Sequence, residues 1–515
     1  MKVAIIGGGF AGLTAAYELG KRGHEVTVFE KDKVLGGLAH GFKPTYAKAS
    51  TSAKATADRS AGKQKDWDWH LEGAYHHLFT NDYAIINLIK ELGLEKKLII
   101  KRPITATLMP SSVIPVYPSS WSHPGSAFAE ALADRSDSGQ ARMTRFPNAI
   151  YQLDSPIHLL RFPYLSPVDK VRTAALLAFL KFNPFWQPLE HLTAEKFFKT
   201  IGGSASWRIL WEPLMRGKFG EYAPTIAASW LWARVKKRTP SLCYIEGGFQ
   251  TLVNALQKTI EKQGGEIYKK ISVTNIQKSE KYFILRSASW RREVYQNSSR
   301  PAWRDSNNMQ IQFDAVLLTV PTPVAAKLIQ FPTSFIQPLL NIPHLHAQTL
   351  ILETKEPILK ACPEQSRGVY WLNINDRSFP FLAVVAHTNF MDKKHYAGHH
   401  LTYFGNYLPQ GHPYLSMTKK QLLKKFLPFI KRLNPTLSLV NSFMFVGPFA
   451  QPVHQLHYSR TAPTIKTPIS NVYLANLDSI YPWDRGTNYA VELGQKAARE
   501  IIRSSPRTKQ KTYSP

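Results

Sequence analysis

The spacing of hydrophobic positions changes along the chain, and each change marks an element. Lys2 to Ile6 is a short continuous apolar run, the pattern of a strand buried on both faces in a parallel sheet. Leu13 to Lys21 shifts to helical spacing and stops near Gly23, and Glu25 to Phe29 is a second strand. Tyr83 to Leu92 predicts a helix closed by Gly93. Ser155 to Arg238 is mainly helical, with apolar positions at helical spacing over Val168 to Phe182 and Leu192 to Ile201. Trp211 to Arg238 adds a turn broken by Pro and Gly, then an aromatic helix ending in a basic cluster. Thr251 to Gln263 predicts a helix. Glu266 to Lys269, Val273 to Ile276 and Phe313 to Pro321 predict strands. Gln348 to Glu353, Val369 to Leu372, Phe381 to Ala386 and His400 to Tyr407 are strands with turn signals between them, expected to form an antiparallel sheet. Thr418 to Leu433 is a basic amphipathic helix, Asn471 to Ala475 a strand and Thr487 to Ile502 a closing helix.

Three stretches carry no usable apolar period: 46–64, 122–143 and 287–308. The first two share a short repeat, ATADRSAGKQ at 55–64 and ALADRSDSGQ at 131–140. Two copies do not make a solenoid, and all three read as low-complexity surface insertions without a catalytic role. A basic tail, 506–515, follows the last helix.

The turn between the first strand and helix holds the first chemistry. Gly7, Gly9 and Gly12 give G-x-G-x-x-G inside a strand–turn–helix–strand unit, with Glu30 at the end of the second strand. Gly7 permits the tight turn, Gly9 lets a pyrophosphate approach the backbone, and Gly12 lets the helix lie close on the strand. Phe10 and Ala11 sit in the turn, at a helix N-terminus whose free N–H groups suit phosphate. Glu30, with Lys31 beside it, stands where an acid accepts ribose hydroxyls. A secretory signal would also start with Lys2 and apolar residues, but the glycines and the acid-ended strand argue against it. The unit therefore predicts dinucleotide binding.

Composition narrows the class. The 515 residues suffice for two full cores, and no apolar run approaches the length of a membrane span. Two cysteines, Cys243 and Cys362, lie far apart and suggest no metal or disulfide framework, so a reducing, cytoplasmic setting is expected. His395, His399 and His400 have metal-like spacing, but Gly398 interrupts them and no Cys or acid completes a set, so no metal is expected. The formal net charge of +29 comes without a nucleic-acid motif; it predicts no nucleic-acid partner and is compatible with peripheral contact with an anionic membrane. The oligomeric state is not legible.

Gly36-Gly37, just past the second strand, extends the glycine motif. With this doublet the chain resembles the FAD-dependent amine oxidase superfamily, which includes protoporphyrinogen oxidase and phytoene desaturase and, more distantly, UDP-galactopyranose mutase. Three later segments carry the same resemblance: the Gly247-Gly248 turn with its helix and strands, Phe313 to Pro321, and the closing strand–loop–helix. There are departures. Leu38 stands where an Arg usually follows the doublet, and Asn476-Leu477 replaces a Gly before Asp478. The resemblance implies an α/β fold: a discontinuous Rossmann-like FAD-binding domain (1–100, 240–330 and 465–505) with an α+β substrate domain (101–239 and 331–464).

It also implies non-covalent FAD held by the first turn, Gly36, Gly37, Leu38 and the backbone of Val273. Asp478 is expected at the ribityl or phosphate region, and the N–H groups of Thr487, Asn488 and Tyr489 at the flavin edge. Trp483 and Tyr481 would pack on the ring or wall the cavity. By the same match Tyr75, His76 and His77 line the site, with His76 and His77 the candidate catalytic side chains. The helical segment 155–238 becomes a lid, a hydrophobic substrate channel or a membrane-facing patch.

The implied function is an FAD-dependent oxidoreductase that takes a hydride from a C–N or C–C unit of a small-molecule substrate to flavin N5. The alternatives are a non-redox mutase-like enzyme using Arg216, Arg234 and Arg485 on a diphosphate, and a non-catalytic flavoprotein at a membrane surface.

Overall fold

The computed structural model describes residues 1–44, 66–110, 149–287, 311–359 and 368–505. The expected insertions, except Ser287, the tail 506–515 and Cys362 lie outside the described residues.

A five-stranded parallel sheet forms one layer. Its order is Glu266–Tyr268, Glu25–Phe29, Lys2–Ile6, Ala315–Leu318 and Val472–Leu474, so three distant parts of the chain build it. Strands buried on both faces need continuous apolar runs, and Lys2–Ile6 and Ala315–Leu318 supply them. On it lie the helix Phe10–Gly20 and the C-terminal helix Thr487–Ser504. These two meet at Gly494, where a Cβ would come 2.4 Å from the Ala11 carbonyl oxygen. A short antiparallel sheet (Val273–Lys278, Phe283–Ser287 and Ile311–Phe313) flanks this layer, so Ser287 ends a strand.

The second unit has a seven-stranded sheet. Its order is Leu439–Pro452, His344–Thr354, His400–Pro409, Ala383–Ala386, Val369–Ile374, Ile104–Met109 and Ala149–Gln152. All neighbours are antiparallel except Val369–Ile374 with Ile104–Met109. The four strands expected from turn signals are its middle. The 14-residue strand Leu439–Pro452 was not expected, because Gly447 and Pro448 interrupt its pattern; the register shifts there, between Ala347 and Leu345 of the partner, and a bulge accommodates the proline.

A helical layer completes this unit: Pro156–Arg161, Pro167–Phe182, Ala194–Gly202, Glu212–Phe219 and Ala228–Lys237. Ser155, Ser166 and Thr193 start the first three, each side chain accepting the N–H three residues on. Among the described residues no helix is long and apolar enough to cross a membrane.

Candidate functional site

The glycine turn is a cradle of bare backbone. Gly7 has φ +113°, and a Cβ on it would meet Thr319 Oγ1 at 2.6 Å. A Cβ on Gly12 would lie 2.1 Å from the Gly7 carbonyl oxygen, so only glycine lets the helix sit down on the turn. Gly9 is different: only Gly37 Cα comes within 4 Å of its would-be Cβ, at 3.8 Å. The doublet lies against it, with the Gly36 N–H donating to the Gly8 carbonyl at 2.9 Å. The first helical bond runs from Leu13 N–H to Gly9 O, which leaves the N–H groups of Phe10, Ala11 and Gly12 without helical partners. The Phe10 side chain turns inward onto Phe249, 6.3 Å between ring centroids.

Glu30 is buried, and its carboxylate accepts the N–H of Gly8 at 2.7 Å and of Asp32 at 2.9 Å. It therefore ties the turn to the second strand, and burial raises its pKa against those two donors. Lys31 is exposed beside it. The Glu30 carbonyl accepts the N–H of Ile271 at 2.9 Å, which brings Val273, two residues on, to the end of the same strand. These groups form one continuous strip suited to a long dinucleotide.

The far end of the strip is set by the doublet and the C-terminal helix. Leu38 packs on Gly447, where a Cβ would meet its Cδ2 at 2.8 Å. No side chain caps the C-terminal helix, whose first bond is Ala490 N–H to Gly486 O, so the N–H groups of Thr487, Asn488 and Tyr489 are left over. Asn488 Oδ1 accepts the N–H of Ile85 at 3.1 Å. Tyr489 stacks on Trp483, and Trp483 on Trp232, at 5.8 and 5.0 Å between centroids. Tyr481 instead packs on Trp186 and donates to Glu190 at 3.0 Å.

Asp478 follows the strand Val472–Leu474. Its carboxylate is buried, with one oxygen bonded to Thr322 Oγ1 and the other 2.7 Å from His344 Nε2. Both oxygens are engaged inside the protein, because Asn476, in place of a glycine, turns the chain inward by accepting the Asp478 N–H.

The histidines stand together on the segment after Leu71–Glu72. His76 Nδ1 donates to the Ala74 carbonyl at 2.7 Å, and His77 Nδ1 lies 3.1 Å from Tyr370 Oη. Burial pushes His76 down to about 4 and His77 to about 3, the latter helped by Arg234 and Arg238. Both are neutral at pH 7. Tyr75 packs edge-on against Trp371 at 4.9 Å and against the bare face of Gly405. His395 stacks on Trp69, His399 lies 2.7 Å from Glu353 and His400 3.3 Å from Thr388, so these three have separate partners. Among the described residues no cluster of three or more His, Cys, Asp or Glu could hold a metal.

The structure groups Arg234 and Arg485, two of the arginines named for a diphosphate, with Lys218 and Asp484, which sequence reasoning missed. Asp484 is buried and accepts from Lys218 at 3.1 Å, Arg234 at 3.3 Å and Gln451 at 3.1 Å. Arg485 donates to Gln451 at 3.0 Å and covers the Tyr407 ring at 4.6 Å. Lys218 stands over Trp230 at 4.6 Å. Two cations thus share one carboxylate, and a third, Arg485, is linked to it through Gln451. Burial pushes Lys218 down to about 7 despite Asp484, and Arg485 down to about 10. Burial alone would raise Asp484; Lys218 and Arg234 hold it well below the usual carboxylate range. Both Arg234 and Arg485 act on Tyr75, and Arg485 on His76, which joins the cluster to the histidine segment. Arg216 stays outside, paired with Glu212 at 2.8 Å on an exposed helix. A further missed group is Glu72, fully buried, accepting from Tyr244 at 2.8 Å and from the N–H of Phe249 at 2.7 Å. Burial raises it to about 7.

Known proteins resemble this chain in part of its sequence and in its fold. Zeta-carotene desaturase of Solanum lycopersicum is 33% identical over 101 residues, 20% of this chain and only 14% of the desaturase. Reduced UDP-galactopyranose mutase superposes with a TM-score of 0.65 at 12% identity, over 98% of this chain and 96% of that one. A protein assigned as a protoporphyrinogen oxidase from Exiguobacterium sp. 255-15 gives 0.64 at 15% identity, over 98% and 99%. At such identities the two structures show the fold. The sequence pattern described as flavin containing amine oxidoreductase matches residues 10–502, and the chain belongs to that family.

Proposed function

We propose that this protein oxidises a small molecule bearing an acidic group, by removal of a hydride from a C–H beside nitrogen or in a C–C unit being desaturated. As a member of its family the chain is an FAD-dependent oxidoreductase. FAD, when bound, supplies the two-electron acceptor. The residues of the strip fit it. Bare backbone at Gly9 and Gly37 leaves room for the pyrophosphate, and the free N–H groups of Phe10, Ala11 and Gly12 favour its charge. Glu30 and the Val273 backbone stand at the ribose and adenine end. The free N–H groups of Thr487, Asn488 and Tyr489 place partial positive charge at the ring end.

The observation that carries the substrate reading is the cluster in which Lys218 and Arg234 pair with the carboxylate of Asp484 while Arg485 is held beside it through Gln451. The cations outnumber the single carboxylate beside the rings of Trp230 and Tyr407, and an arriving carboxylate or phosphate would complete the pairing. A diamine would meet repulsion there. His76 and His77, neutral and hydrogen-bonded, orient and wall the substrate and hold no proton to release at pH 7. Tyr75 and Trp371 keep water out.

The experiment is an anaerobic titration of the FAD-loaded protein with benzoate, succinate and 1,4-diaminobutane, read from the flavin spectrum. Saturable shifts with the acids alone are expected; shifts with the diamine alone refute the reading. The same cluster suits a diphosphate, so a mutase-like, non-redox reaction is the second reading. Reduction of the bound flavin by an acidic substrate separates the two. Failure to take up FAD would refute both.

A further inference from the structure

The helix Pro167–Phe182 is turned inside out relative to a water-facing surface helix. Its inner face, Thr173, Leu176 and Leu180, is fully buried and packs toward the helix Ala228–Lys237. Its outer face should then be polar. Instead Val168 is 67% exposed, Val171 64%, Phe179 48% and Phe182 79%, at spacings of three, eight and three residues that keep them on one side. Phe185, 65% exposed, and Leu160, 51%, prolong the patch at its two ends. Single exposed apolar residues need no explanation, but a contiguous face over four turns marks a partner.

Charge selects the partner. The cations of this helix are Lys170, Arg172 and Lys181, against the one acid Asp169. Each cation reaches sideways to a neighbouring carbonyl: Lys170 to Leu160, Arg172 to Thr200 and Ile201, Lys181 to Arg238. They border the apolar face instead of crossing it. Asp169 is bonded to Ser166. An apolar stripe edged with cations, on a chain of net charge +29, is complementary to an anionic lipid surface, where the stripe enters the acyl boundary and the cations stay at the headgroups.

We propose that the outer face of the helix Pro167–Phe182 docks this protein on one leaflet of an anionic bilayer. This goes beyond the oxidation reading and does not depend on it. A second copy of the chain, or the segment 111–148, would be the other occupants of such a face.

The test is flotation of the full-length, FAD-loaded protein with two vesicle types: phosphatidylcholine alone, and phosphatidylcholine with one-quarter phosphatidylglycerol. The protein should float with the anionic vesicles and weakly with the neutral ones. Phe179→Ser/Phe182→Ser should lower vesicle affinity by about a hundredfold, since each buried aromatic ring contributes about tenfold or more at the interface. Its flavin spectrum and melting temperature should match wild type. If that pair fails to fold, Val168→Ser/Val171→Ser probes the other end of the stripe and should cost about tenfold. Equal flotation of wild type and a folded variant overturns the proposal. So does a wild type that binds neither vesicle, whether sedimentation shows a dimer that the variant dissolves or deletion of 111–148 is needed before vesicles bind.

Discussion

The two halves of the Lys218–Asp484 pair are unequal, and their substitutions should show it. Asp484 is 6% exposed and holds three donors, Lys218 at 3.1 Å, Arg234 at 3.3 Å and Gln451 at 3.1 Å. Asp484→Asn keeps the shape and removes the charge, leaving Lys218, Arg234 and Arg485 facing one another with no carboxylate among them. At 3.1 Å and an effective dielectric near 20, the lost attraction to Lys218 alone is about 5 kcal/mol. Arg234 keeps 43% of its side chain exposed, so its share is discounted. Part of the loss is recovered when Lys218 sheds its proton, and a net destabilisation of about 3–5 kcal/mol is expected, the range for orphaned buried charges. Lys218→Met removes a cation that burial already pushes down to about 7. Asp484 retains Arg234 and Gln451, and a methionine suits the faces of Trp230, Phe219 and Tyr407, so the cost should be about 1 kcal/mol. Urea unfolding of the FAD-loaded variants at neutral pH measures both. A stable Asp484→Asn, or a Lys218→Met costlier than Asp484→Asn, refutes the reasoning.

The same lysine sets a pH dependence. Asp484, Arg234, Arg485 and His454 are the charged and titratable groups that act on it or are acted on by it. Its folded pKa lies below its unfolded value near 10.5, so between about 7 and 10.5 the unfolded chain binds more protons and stability rises with pH through this group. Affinity for an acidic ligand should instead fall as pH rises through about 7, and Lys218→Met should flatten that limb in a spectral titration. Glu72 works the other way: raised from 4.5 to about 7, it makes the folded state bind more protons across that window, so stability falls as pH rises through it. Glu72→Gln should remove that slope in thermal unfolding at several pH values. Gly494→Ala must move the C-terminal helix by at least 0.6 Å, from 2.4 Å to the 3.0 Å floor of real Cβ contacts with Ala11 O. It should cost about 1–3 kcal/mol and weaken FAD binding measured by fluorescence quenching, because Ala11 lies in the phosphate turn.

What was legible in the sequence was local. Gly7, Gly9, Gly12 and Glu30 belong to one strand–helix–strand unit, so their spacing alone carries their geometry. Thr487 to Tyr489 open a helix whose start the sequence marks with Gly486. Of the cationic cluster Arg234 and Arg485 were named from the sequence, but not Lys218, Gln451 or Asp484, because these come from separate elements and none sits in a motif. The partners of Asp478 were not legible either: nothing near it in sequence announces Thr322 or His344. For His76 and His77 the residue type was visible and the burial that keeps them neutral was not.

Chain connectivity argues that the cluster belongs to the redox site. Asp484 pairs with two of the cations, and Thr487 starts the helix whose free N–H groups would, in the proposed function, face the flavin ring. Two residues, Arg485 and Gly486, lie between them, so their Cα atoms lie within about 11 Å even if the loop is fully extended. On either side of this stretch Trp483 and Tyr489 stack on each other, and Lys237 lies over both rings at 5.2 and 5.6 Å, which fixes the loop against the helix. An acid held by Lys218, Arg234 and Arg485 is therefore positioned by the same loop that positions the helix start. In the proposed function a substrate of ordinary small-molecule length anchored there would reach the ring edge, whereas one lacking the acid would have to find that register without its strongest fixed contact.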